Sequence, residues 1–157
     1  MSSLPDPSPT VSLELPEDPQ ALAELAARTM YDNDAASQAL GARVVSVAPG
    51  QACMSMTVRA DMLNGHKTCH GGFIFALADS TFAFACNSRN MVTVASGCSI
   101  DYLAPGLEGD VLTAEAIEYS LAGRTGVYDV HVKNQDGKRI AIFRGRSYRI
   151  KGQVVGE

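Results

Sequence analysis

The chain has 157 residues, of which 46% are hydrophobic and 19% are charged. This length suits one domain with a hydrophobic core, and the proportions are ordinary for a globular protein. The net charge of −4 argues against a nucleic-acid-binding protein, which needs a basic surface. No apolar run reaches the roughly 20 residues that span a bilayer. Because the first residues lack the pattern of a signal peptide, we expect a cytoplasmic protein that binds neither nucleic acid nor membrane.

The chain begins with a segment that differs in composition from the rest. Residues 1–18 are rich in proline and acidic residues and contain no Lys or Arg, which is typical of a disordered tail. We expect a single domain over residues 19–151 and a short C-terminal tail over residues 152–157. Apolar residues at helical spacing, preceded by Asp18 and Pro19 as cap and first position, predict an extra N-terminal helix over residues 19–33.

The body of the chain contains one long helical segment among β-type runs. Two short runs, around Val44–Val47 and Cys53–Val58, are separated by a Pro-Gly turn. Residues 72–87 are apolar on nearly every side, which predicts a buried helix. Four further strands are predicted, over residues 92–102, 111–120, 126–134 and 139–150. The natural arrangement is α+β, an antiparallel sheet curled around a central helix.

Asp79 is the one formal charge between Lys67 and Arg89, and it lies within the predicted buried helix. Burying an ionised carboxylate costs several kcal/mol unless it finds partners. A purely structural carboxylate could be satisfied by Ser80, by Thr81 or by a partner chain. The alternative is a catalytic group that activates water as a general base or attacks as a nucleophile. Asp79 is therefore the first candidate for chemistry.

A double glycine, Gly71-Gly72, comes immediately before the predicted helix. Free N–H groups at a helix start attract negative charge, and glycine allows a ligand to approach closely. Such N–H groups could polarise a carbonyl during acyl transfer. Gly71 and Asp79 are about 12 Å apart along one helix, too far to act on one carbonyl. If both are catalytic, the site combines Gly71 of one subunit with Asp79 of another across a two-fold interface.

The pattern Asn64-Gly-His-x-x-x-His70-Gly71-Gly72 followed by Leu77-Ala78-Asp79 resembles the hotdog-fold acyl-CoA thioesterases. Ser99–Leu103 and Phe143–Ser147 extend the resemblance, which covers about residues 20–150 and points within that family to the PaaI type of phenylacetate pathways. It implies a hotdog fold assembled as homodimers that usually pair into homotetramers. It also implies hydrolysis of an aromatic acyl-CoA, such as phenylacetyl-CoA or a ring-hydroxylated form, to free acid and CoA.

The same resemblance assigns roles to individual residues. Asp79 would be general base or nucleophile, and the N–H of Gly71 would polarise the thioester carbonyl. Asn64 would position water or substrate, and His70 would shape the oxyanion side, with Gly72 beside it as a substrate-binding residue. CoA is part of the substrate, and no separate cofactor is implied. Another aromatic or medium-chain acyl-CoA stays open as the substrate, and so does a non-catalytic acyl-CoA-binding module.

Two other groups of residues allow more than one interpretation. His66, Cys69 and His70 are close in sequence, but no other His or Cys cluster supplies a fourth ligand, so we expect no metal. The four cysteines are most simply small buried residues. Six basic residues between Lys138 and Lys151 are either a solvated edge or contacts for CoA phosphates. Among possible phosphate contacts we favour Arg144, followed by Lys67 and Arg124.

Overall fold

A computed structural model describes residues 14–156 of the chain. Most of the proline-rich segment, residues 1–13, lies outside the described residues. Within this described part, three α-helices and six strands follow one another, with one 3₁₀ turn over Ala60–Met62. No helix within residues 14–156 has the length and apolar character needed to cross a membrane.

All six strands form one antiparallel sheet with the order β1-β2-β4-β5-β6-β3. Each predicted strand is present, with ends displaced by three residues or fewer. Strand β3 lies at one edge of the sheet, paired on one side with β6. The bounds of the strands are β1 Arg43–Ala48, β2 Gln51–Thr57, β3 Met91–Tyr102, β4 Val111–Ala122, β5 Thr125–Lys133 and β6 Arg139–Gln153.

Helix α1 spans Pro19–Asp32, as the sequence pattern predicts. The Asp18 carboxylate accepts a hydrogen bond from the N–H of Ala21 at 2.9 Å, and Pro19 occupies the start of the helix, where its missing N–H is not needed. Helix α2, Ala35–Leu40, was not predicted. Its six residues are too few to give a readable periodicity, and it is held by a cap at Asp34 and ended by a left-handed Gly41.

Helix α3, Gly71–Cys86, begins one residue before the predicted start and contacts every strand of the sheet. Phe82 and Phe84 are buried at about 1% exposure. The Phe82 ring packs near Tyr128 and Phe143, with ring centroids 5.5 and 5.9 Å away. This confirms the hotdog arrangement, in which the sheet buries a central helix.

The end of the chain packs onto the segment that joins α3 to β3. Strand β6 reaches Gln153, inside the range 152–157 that the sequence suggested as a tail. Val155 is buried, its N–H donates to Asn90 Oδ1 at 2.8 Å, and its carbonyl accepts from Asn90 Nδ2 at 3.1 Å. The described part of this segment is therefore bonded to the domain.

Gly145 on β6 is a position where a side chain of α3 lies very close to the sheet. A Cβ built there would lie 2.8 Å from three atoms of the Phe82 ring. Gly145→Ala is expected to destabilise the fold by about 1–3 kcal/mol, because the buried ring must move. Urea unfolding at a fixed protein concentration measures this loss. Phe82→Leu in the same chain should recover part of it, and an unchanged midpoint for Gly145→Ala would contradict the close approach.

Candidate active site

A short loop leads into α3, and Asn64 organises it. Leu63 and Cys69 pair as an isolated antiparallel bridge, and between them the Asn64 Oδ1 accepts hydrogen bonds from the N–H groups of His66 at 2.9 Å and Thr68 at 3.3 Å. The amide Nδ2 of Asn64 has no acceptor among residues 14–156. Lys67 is exposed at the turn, with a φ of 59°. The loop uses the oxygen of Asn64 and leaves its Nδ2 available.

His70 caps the start of α3. Its Nδ1 accepts a hydrogen bond from the N–H of Gly72 at 2.9 Å. The neutral imidazole therefore carries its proton on Nε2. Gly72 is suited to this cap, because a Cβ there would lie 3.1 Å from Nδ1 of His70. The N–H of Gly72 is thus occupied, whereas the N–H of Gly71 has no acceptor within the described residues.

Tyr102, the last residue of β3, lies against Gly71. Its hydroxyl donates to the Gly71 carbonyl at 2.8 Å, and a Cβ on Gly71 would lie 2.9 Å from the phenol oxygen. Glycine suits this position because the end of the Tyr102 ring occupies the space that a side chain would take. Sequence reasoning did not identify this contact, although Tyr102 belongs to the motif Ser99–Leu103.

Asp79 is half-buried two turns further along α3. Within the described residues, its one hydrogen-bond partner is the Cys98 thiol on β3, with Sγ 3.8 Å from Oδ1. The two neighbouring hydroxyls are engaged elsewhere. Ser80 Oγ lies 3.0 Å from Ser37 Oγ on α2, and the Thr81 hydroxyl donates to the Leu77 carbonyl at 2.7 Å. They therefore do not supply the structural role that the sequence left open for them.

Burial raises the pKa of Asp79, and the thiol hydrogen bond of Cys98 opposes that rise. A carboxylate in this setting is a stronger base than an exposed aspartate. Such a group, held by one weak donor and partly open to solvent, is suited to proton transfer or nucleophilic attack.

An open groove of about 700 Å³ runs between α2 and α3. Gly72 and Ala76 line it, and their spacing places them on the helix face that also carries Asp79. The wall from α2 is made of small and apolar side chains, and the remaining lining residues are Arg59, His70 and Phe73. Of the helix phenylalanines, Phe73 lines this groove, Phe75 packs on Phe143, and Phe82 and Phe84 belong to the core.

The structure does not bring Arg144 to this site. Side chains alternate along β6, and Phe143 and Gly145 face α3, so Arg144 lies on the opposite face. There its guanidinium makes two bonds to Asp129, at 2.6 and 2.8 Å, and holds the pKa of that carboxyl below its usual range. Sequence reasoning could not assign this partner, because the register of β5 and β6 determines it.

Gly71 and Asp79 lie on the same helix of one protomer, as expected. Eight residues separate them, or about 12 Å along the axis.

In residues 14–156, no three His, Cys, Asp or Glu side chains are grouped so that they could hold a metal ion. The thiol of Cys69 is buried, and the Nδ1 of His70 is used by its cap.

Comparison with known proteins places this chain among thioesterases. A family model described as the thioesterase superfamily matches residues 66–141. The acyl-coenzyme A thioesterase PaaI of Escherichia coli (strain K12) is 52% identical over 131 residues, which make up 83% of this chain and 94% of that protein.

Two solved structures extend the similarity to three dimensions. The PaaI protein from the phenylacetic acid degradation operon of Escherichia coli superposes with a TM-score of 0.85 at 49% identity, covering 87% of this chain and 99% of that one. A hypothetical thioesterase of Streptococcus pneumoniae TIGR4, solved with coenzyme A, gives a TM-score of 0.72 at 26% identity, covering 80% and 96%.

The matched region contains the start of α3, the helix itself and strand β3. These elements carry Gly71, Asp79, Cys98 and Tyr102. This chain belongs to the thioesterase superfamily, and it is an acyl-CoA thioesterase of the hotdog fold and the PaaI type.

Proposed function

We propose that the enzyme hydrolyses phenylacetyl-CoA, or a ring-hydroxylated form of it, to the free acid and CoA. The observation that carries this proposal is the half-buried Asp79 carboxylate, which has one weak donor and lies on a helix face bordering an open groove. The apolar lining of that groove suits an aryl group. The relative from a phenylacetic acid degradation operon supports this choice of acyl group.

In the proposed reaction, the N–H of Gly71 polarises the thioester carbonyl and stabilises the negative charge that develops on its oxygen. As general base, Asp79 takes a proton from water while the water oxygen bonds to the carbonyl carbon. The tetrahedral intermediate then collapses, the C–S bond breaks, and the proton passes to the CoA sulfur. As nucleophile, Asp79 would instead form a mixed anhydride, releasing CoA before water hydrolyses the anhydride.

The proposed site is shared between two subunits, because Gly71 and Asp79 of one helix cannot reach the same carbonyl. Strand β3 supports a two-fold pairing, since it is twelve residues long and hydrogen-bonded to β6 alone. An unpaired edge of this length invites a second strand. Met91, Val94 and Tyr102 on it are 44–51% exposed apolar or aromatic residues. We propose a dimer through β3, with two dimers forming a tetramer.

The remaining predicted residues have supporting roles in this proposal. Asn64 offers its Nδ2 to water or substrate, and His70 shapes the oxyanion side with its Nε2–H. Gly72 lines the groove and leaves space for the cap. Lys67, exposed beside the helix start, is the cation that we propose for the CoA phosphates. Arg144 is not included in this mechanism, because within one protomer it pairs with Asp129 on the other face of the sheet.

Asp79→Asn is expected to lower kcat for phenylacetyl-CoA at least about a hundredfold, because an amide can neither accept the proton nor attack. Activity is best followed by the loss of thioester absorbance, since the free, half-buried thiols of Cys53 and Cys98 would compete with released CoA for a thiol reagent. Asp136→Asn, in the exposed β5–β6 turn, is the matched control. Full activity of Asp79→Asn would overturn the assignment. Comparing kcat/KM across aromatic and medium-chain acyl-CoA esters decides the substrate.

The role of the Gly71 N–H can be tested with proline, which removes the N–H and is tolerated at the first helical position. The backbone of His70, at φ −59° and ψ 132°, is compatible with a following proline. Because any side chain at position 71 meets Tyr102, both test proteins carry Tyr102→Ala. Gly71→Pro is expected to lose about 10²–10³ in kcat relative to Gly71→Ala in this background. Equal rates would exclude the N–H as the oxyanion donor.

Subunit mixing tests the shared site. A dimer of one Asp79→Asn subunit and one Gly71→Pro, Tyr102→Ala subunit contains one intact site and one doubly defective site. The intact site takes Gly71 and its neighbour Tyr102 from the Asp79→Asn subunit, so random exchange should restore roughly a quarter of the wild-type activity. Exchange is verified by mass spectrometry of the mixed oligomers. No recovery after complete exchange would contradict a site built from two subunits.

A further inference from the structure

We propose that Cys98 is a positioning residue for Asp79, holding one carboxylate oxygen through its S–H so that the other oxygen is free for water or substrate. This inference rests on the proposed role of Asp79. Its basis is geometric. Cys98 lies on the face of β3 that is turned toward α3, with Sγ 3.8 Å from Oδ1. The thiol is the one protein donor to this carboxylate within the described residues.

The surroundings of Asp79 leave few groups that could take over this role. The Cys86 thiol, also on α3, is close enough to interact electrostatically with Asp79. Its proton, however, is donated to the carbonyl of Ala83, one turn earlier in the helix. On the α2 side, Asp34 accepts from the Ser37 hydroxyl, which in turn lies beside Ser80. The contact from β3 is therefore the one that fixes the carboxylate.

Cys98 remains a donor because it stays protonated. Burial raises the pKa of the Cys98 thiol, and the charge of Asp79 raises it further. Arg146 on β6 has the opposite effect and is the nearby cation. With the proton kept on sulfur, the thiol and the carboxylate form a donor and acceptor pair at neutral pH, without a competing thiolate.

A thiol suits this position better than a stronger donor would. A hydrogen bond to the ionised form lowers the pKa of a carboxylate, and a strong one would make it a poor base. The thiol is a weak donor, so it orients Asp79 and opposes the effect of burial only in part. The result is a base that is oriented and still reactive.

The test compares Cys98→Ser with Cys98→Ala, two side chains of similar size that differ by one hydroxyl. If Asp79 must be ionised, kcat/KM falls as the pH drops through its pKa, above the usual range of an aspartate. Without a donor the pKa rises, so the acid limb of Cys98→Ala should lie about half a pH unit above that of wild type. Cys98→Ser should keep the limb at or below the wild-type position.

Cys53→Ala is the control, because Cys53 is a half-buried free thiol on β2 away from Asp79. The acid limb of the pH profile of Cys53→Ala should match that of the wild type. If Cys98→Ser and Cys98→Ala do not form the native oligomer, the comparison is repeated with Cys98→Thr and Cys98→Val, whose side chains are suited to a strand.

The outcomes separate this inference from the proposed function. If the acid limbs of Cys98→Ala, Cys98→Ser and wild type coincide, the positioning role is overturned. It is also overturned if both variants shift the acid limb upward equally, because such a shift would report a change in packing alone. Either result leaves the role of Asp79 intact. Full activity of Asp79→Asn would overturn the role of Asp79 itself, whatever the Cys98 variants do.

Discussion

The burial of α3 against the sheet is the constraint on which the rest of this structure depends. The helix offers almost no polar surface except at its start and at Asp79 and Ser80, so it is stable only when the sheet covers most of it. Gly145 and the Phe82 ring show how closely the two layers approach. With most of the helix covered, the face that carries Gly72, Ala76 and Asp79 is left beside a groove. The packing of the helix thereby determines which of its faces is accessible to a substrate.

The two ends of this face have different electrostatic characters. At the start of α3, the His70 cap uses the N–H of Gly72 and leaves that of Gly71 for a developing negative charge. At Asp79, burial favours the neutral acid, and the weak donor Cys98 opposes it only in part. One end is therefore suited to stabilise an oxyanion and the other to accept a proton. In the proposed enzyme, a second subunit brings two such unlike ends to one thioester.

The main elements could be predicted because their signals are local. Composition and periodicity were sufficient for α1, for α3 and for the six strands. Helix α2 was missed because six residues carry no periodic pattern. Its stability comes from its cap at Asp34 and from contacts with neighbouring helices.

The candidate site was predictable as far as a motif could identify it. Asp79, Gly71 and His70 lie together on α3 or at its start, where the motif placed them. The contacts of Cys98 and Tyr102 could not be read from the sequence, since they depend on how β3 lies along the helix. The same limit applies to Arg144, whose partner is fixed by strand register and not by the density of basic residues around it.

Cys98 and Tyr102 have a joint consequence. Four strand residues separate them, or about 13 Å, and eight helix residues separate their partners Asp79 and Gly71, or about 12 Å. A single strand therefore spans the distance between both reactive groups and bonds to each of them. A sliding movement of β3 along α3 would disturb both bonds at once. In the dimer that we propose, β3 would thus hold Gly71 and Asp79 of each subunit at a fixed spacing, and so would set the distance between the two shared sites.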